Sequence, residues 1–78
     1  MNRLYDRDAF AARYGARLRA ARVHRQLSQA ELAHRSGYTY QTVSNLERGY
    51  SFPSLTVTFV FAEVLEIHPR DLLFGEEP

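Results

Sequence analysis

The sequence predicts an all-α protein, a compact bundle of five short helices. Three observations carry this. Apolar residues recur at spacings of three and four. Capping residues, Asp6 or Asp8, Ser28, Thr39 and Ser54, stand at the heads of those stretches, and glycines stand at two of their ends. No two segments pair convincingly as strands.

Asp6 or Asp8 caps a first helix whose apolar side reads Phe10, Tyr14, Leu18 and Ala21, ending near Gln26. Ser28 and Glu31 form an S-x-x-E capping box that starts helix 2. Gly37 stops it, being free to take the left-handed conformation a helix end needs. Thr39 caps helix 3, which runs to about Arg48 before Gly49. After the loop "YSFPS", Ser54 caps a fourth helix ending near Glu66. Its β-branched content imitates a strand, but the cap and the helical neighbours outweigh that. Pro69 opens a last turn that closes around Phe74, with His68 as its cap. The tail "GEEP" is expected to fray.

A chain of 78 residues, 45% apolar, supports one small domain, here 1–78 with its core over 8–74 and two closely joined helices over 28–48. Absence of cysteine excludes disulfides and thiolate metal sites. No apolar run approaches a membrane span, and "MNRLYDRDAF" lacks a signal peptide's apolar stretch, so a cytoplasmic protein with no membrane partner is expected. The net charge of +1 hides an asymmetry: residues 1–48 hold nine arginines against four acids, and residues 49–78 hold Arg70 against five. Such an asymmetry suits one half to face a polyanion, while charge alone favours the plainer reading of solvated helix surfaces.

Helices 2 and 3 explain the basic half. Two helices crossing steeply over a three-residue turn need a small residue where they approach, a flexible one in the turn, and apolar anchors on the second helix. Ala33, Gly37, Val43 and Leu46 meet those needs in order. This is helix-turn-helix spacing.

With "LSQAELA", the Gly37 turn, "VSNLERG", "PSL" and "DLL" in register from Tyr14 to Leu73, the chain resembles the Cro/repressor, or xenobiotic-response-element, class of helix-turn-helix DNA-binding proteins. The resemblance implies a five-helix, lambda-repressor-like bundle with helix 3 in the DNA major groove and helix 2 across the phosphates. It also implies a phosphate contact at Gln29 and an ion pair of Arg22 with Glu47 tying helix 3 to helix 1. Two positions depart from the family pattern: Gln26 stands where a helix-ending glycine is usual, and Ala21 where leucine is common.

On the wheel of helix 3, Val43, Leu46 and Glu47 share the packing side, and Gln41, Ser44, Asn45 and Arg48 share another arc. Amides suit adenine, arginine suits guanine, and a threonine methyl suits thymine. Behind a helix-turn-helix turn the candidate base readers are Thr39, Tyr40, Gln41, Ser44, Asn45 and Arg48; without it they would be ordinary solvated residues. Candidate phosphate contacts are Ser28 and Gln29 at the N-terminus of helix 2, with Arg17, Arg35 and Tyr50.

Helix 4 presents Leu55, Thr58, Phe59, Ala62 and Leu65 as its core side, with Phe61 at the edge. A second apolar stripe, Val57, Val60 and Val64, points away from that core and, extended by Phe52 and Ile67, is the expected homodimer surface. A symmetric dimer would place two recognition helices about 34 Å apart on palindromic half-sites. His24, His34 and His68 lie on different elements without ligand spacing, so no catalytic, metal, cofactor or small-molecule site is expected. The expected function is a small stand-alone transcription regulator, a restriction-modification controller or phage-type repressor, binding double-stranded DNA. The competing reading is a protein-interaction module or antitoxin built on the same bundle.

Overall fold

The computed structural model describes residues 6–75. The first five residues of the N-terminal reading and residues 76–78 of the expected frayed tail lie outside the described residues. The order is α1 (Arg7–His24), α2 (Gln29–Ser36), α3 (Tyr40–Glu47), α4 (Leu55–Leu65) and α5 (Pro69–Leu73).

Each helix begins where its cap lies. Asp6 is the α1 cap, its carboxylate accepting from the Ala9 N–H, so Asp8 sits inside the first turn, where an acid favours the positive end of the helix dipole. Ser28 and Glu31 exchange both bonds of a capping box, the Glu31 carboxylate accepting at 2.7 Å from the Ser28 N–H. Thr39, Ser54 and His68 cap the rest; the His68 Nδ1 accepts from the Arg70 N–H, and Asp71 reaches back to the His68 N–H. Gly37 takes φ 80° and lets α2 stop within three residues of α3. α1 stops at His24, two residues earlier than expected, and Gln26 itself adopts φ 60°, a conformation that a glycine would take without strain.

One core joins all five helices. Tyr14 and Leu18 of α1, Leu32 and Ala33 of α2, Val43 and Leu46 of α3, Val57, Phe61, Ala62 and Leu65 of α4, and Leu72 of α5 are buried together, with Leu27 from the α1–α2 link. α3 lies against both α1 and α2, while α4 packs on α2 and α5. Tyr14 and Thr58 carry the core's polar crossing. Thr58 donates to the Ser54 carbonyl at 2.8 Å, so the Tyr14 hydroxyl donates to Thr58 Oγ1, also at 2.8 Å. Burial pushes the Tyr14 phenol above its usual value.

The α4 wheel is turned relative to the sequence expectation by about 70°, at 100° per residue. Thr58, Ala62 and Leu65 face inward as expected. Leu55 and Phe59, expected in the core, are 64% and 57% exposed, whereas Val57, expected outside, is 5% exposed and belongs to the core. Val64 and Ile67 are half-buried and packed on that core, and Val60 is half-buried. The proposed valine stripe is therefore not one free surface. A helix apolar on all sides has no periodic signal to fix its rotation, and the bulky Phe61 fills the bundle centre in preference to Phe59.

Candidate nucleic-acid interface

One polar network ties the start of α2 and the end of α3, the ends away from their connecting turn, to α1. Arg22 of α1 makes two parallel bonds to Glu47 of α3, Nε to Oε2 at 2.6 Å and Nη2 to Oε1 at 3.0 Å, and a third from Nη1 to the Leu27 carbonyl at 2.7 Å. The two side chains are 11% and 3% exposed, so the planar guanidinium and carboxylate form a largely desolvated bidentate pair. Glu47 Oε1 also accepts from the Gln29 amide at 2.9 Å, which no sequence pattern had signalled. Three elements, α1, the start of α2 and the end of α3, thus meet on one carboxylate. Gly15 admits this arrangement, because a Cβ there would collide with the Leu46 carbonyl and lie 2.5 Å from that of Glu47. Its role, unread in the sequence, is to let the α1 backbone touch the α3 backbone.

Held this way, α3 turns a limited edge to solvent. Thr39, Tyr40, Gln41 and Arg48 are exposed, Tyr40 by 56%, and Asn45 is half-buried. Ser44, placed among the base readers by its wheel position, is 4% exposed and is removed from the edge. The reason is that α1 and α2 both pack on α3, which widens its buried arc beyond Val43, Leu46 and Glu47. The Gln41 amide donates to Asn45 Oδ1 at 3.0 Å. The Arg48 guanidinium sits 5.3 Å from the centre of the Tyr50 ring, a cation–π distance.

The phosphate candidates divide. Ser28 is exposed at the α2 N-terminus, but its hydroxyl and N–H are engaged in the capping box, and that bonding holds Glu31 below the usual carboxylate range. Gln29 is half-buried and anchored by Glu47. Arg35 and Tyr50 are exposed. Arg17 is corrected: its guanidinium is directed to the chain's other end, donating to the carbonyls of Leu72, Leu73 and Gly75 at 3.3, 3.2 and 2.8 Å. It closes the C-terminus of α5, where cationic donors satisfy the last carbonyls. Gly75, expected to fray, is pinned by it.

Away from this edge, Phe52 is 37% exposed, with its ring 5.4 Å from Phe10 and the Arg7 guanidinium 4.4 Å from its centre. Leu55 and Phe59, one turn apart, leave an apolar pair open to solvent. Among the described residues no group of His, Cys, Asp or Glu is arranged to hold a metal, and no helix is long and apolar enough to cross a membrane.

The helix-turn-helix family model matches residues 18–72. Of solved structures, the restriction-modification controller protein C.AhdI from Aeromonas hydrophila is 38% identical, with a TM-score of 0.83 over 87% of this chain and 99% of that one. The P22 c2 repressor, in complex with a synthetic operator, is 28% identical at a TM-score of 0.75, over 81% of this chain and 96% of that one. The clp gene regulator ClgR from Corynebacterium glutamicum is 26% identical at 0.82, covering 90% and 74%. No curated protein matches the chain in sequence.

Proposed function

This chain belongs to the helix-turn-helix family and is a DNA-binding transcription regulator; from that premise we propose that it acts as a homodimer on a palindromic operator, in the manner of a small controller protein or repressor. The observation that carries the reading is the exposed edge of α3, with Tyr40, Gln41 and Arg48 outward on a helix whose other side is bound to α1 by Arg22 and Glu47. An amide and a guanidinium on such an edge suit the donor and acceptor pattern of the major groove. Thr39 and Asn45 flank them. The second N–H of the Gln29 amide, left over from its bond to Glu47, and the exposed Arg35 and Tyr50 supply the phosphate contacts. The higher identity to C.AhdI, 38% against 28% for the P22 c2 repressor, favours a restriction-modification controller over a phage repressor. Its place of action is the cytoplasm.

The dimer surface is centred on Leu55 and Phe59, with half-buried Val60 on the same helix. An exposed leucine and phenylalanine one turn apart gain by covering each other across a two-fold axis, where the same patch serves both subunits. Two recognition helices then sit about one DNA turn apart.

Selection from random duplexes tests the reading. A reproducible palindrome is expected, and log K at the selected site should fall by about 0.9 per log unit of salt for each phosphate neutralised. Equal retention of duplexes of every composition would refute it. A tight complex with another protein, and no sequence preference, would favour an interaction module instead.

A further inference from the structure

We propose that Asn45 is a positioning residue rather than a base reader: it fixes the Gln41 amide so that Gln41 selects an adenine. The inference rests on the DNA-reading function above. Gln41 and Asn45 lie four residues apart on α3, where side chains meet on one face. Gln41 is exposed and Asn45 half-buried behind it, and the Gln41 Nε2 donates to Asn45 Oδ1 at 3.0 Å. At the same residue, the Asn45 main-chain carbonyl accepts from the Tyr50 N–H at 2.9 Å, so the loop that carries Tyr50 is tied to this turn of the helix.

A primary amide has two N–H groups and one oxygen. Giving one N–H to Asn45 leaves Gln41 with Oε1 and a second N–H, an acceptor and a donor. Adenine offers the complement in the major groove, an N6 donor beside an N7 acceptor, and no other single base presents a donor and an acceptor together there. A free glutamine side chain must be ordered from many rotamers before it can make that paired contact. Bonding to Asn45 before DNA arrives removes part of that cost and, by consuming an N–H, disfavours turning the amide to offer two donors to guanine. Asn45 thereby contributes selectivity without touching the base.

Competition with the selected operator, substituting each base pair in turn, provides the test. The full chain is expected to prefer A·T by about 5- to 160-fold at one position per half-site, the range for one bidentate pair. Gln41→Ala should abolish the preference at that position alone. Asn45→Ala should reduce it several-fold while leaving other positions and the melting midpoint unchanged. Asn45→Asp, which keeps the acceptor oxygen, should retain the preference although added negative charge weakens binding everywhere. Full selectivity in Asn45→Ala, equal loss in Asn45→Asp, or a Gln41-dependent position that is not A·T would overturn the inference and leave DNA reading intact. Absence of selectivity at every position in the parent protein would overturn both.

Discussion

Replacing Arg22 by methionine is the sharpest perturbation of this fold. The substitution keeps an apolar stem along α1 but removes three bonds, two to Glu47 and one to the Leu27 carbonyl. What remains is a carboxylate 3% exposed, with the Gln29 amide as its hydrogen-bond partner. Removing one member of a buried pair costs about 3 to 5 kcal/mol, because the other stays charged without its counter-ion. For a chain of 78 residues the total stability is on the order of 4 to 12 kcal/mol. The variant should therefore lose about a quarter or more of its stability. At about 4 to 8 °C per kcal/mol for a domain of this size, the melting midpoint should fall by at least about 12 °C. Circular dichroism during heating and urea titration reads both quantities. The double variant Arg22→Met with Glu47→Leu should recover much of the loss, since an apolar pair of similar volume substitutes well for a buried ion pair. A single variant that melts within about 4 °C of the parent would show that the pair is solvated and does not hold α3.

Tyr14→Phe should cost about 0.5 to 1.5 kcal/mol at neutral pH, the value of one hydrogen bond. Because the folded phenol is raised above the usual 10.0, the unfolded chain releases that proton first as pH rises; stability from this group is full below pH 10.0 and lost above it, so the variant's urea midpoint should decline less on the alkaline side. A parallel alkaline decline in both proteins would refute the assignment. Gln26→Gly should raise stability by about 0.5 to 1 kcal/mol, since a side chain held at φ 60° is strained; a lower melting midpoint would contradict this. Phe59→Asp should move the protein toward monomer in sedimentation and weaken operator binding while the fold persists, whereas Val57→Asp should unfold it. Parent-like sedimentation of Phe59→Asp would move the dimer surface elsewhere.

The helix starts were legible because each is written locally: a side-chain oxygen or ring nitrogen and the N–H it satisfies lie two or three residues apart. The Arg22 and Glu47 pair was legible through resemblance, and the structure adds its bidentate form. Harder to foresee was the rotation of α4. Leu55, Val57, Phe59 and Phe61 are all apolar, and only the shape of the space between α2 and α5 decides which of them turn inward. Ser44 was misplaced for a related reason, since wheel arithmetic on one helix does not register how many neighbours cover it. Arg17 illustrates a third limit. Its carbonyl partners lie more than fifty residues away, and a lone arginine in a basic helix carries no sign of them.

That clasp between Arg17 and the end of α5 has a consequence for how the molecule opens. A five-residue helix cannot sustain itself by local bonding, and on most proteins such a terminal turn would fray independently. Here the guanidinium of the first helix gathers the final carbonyls of the last, so releasing that turn requires breaking contacts with α1. Amide hydrogens in α5 should therefore exchange with solvent in step with those of α1, as one cooperative unit spanning both ends of the described chain.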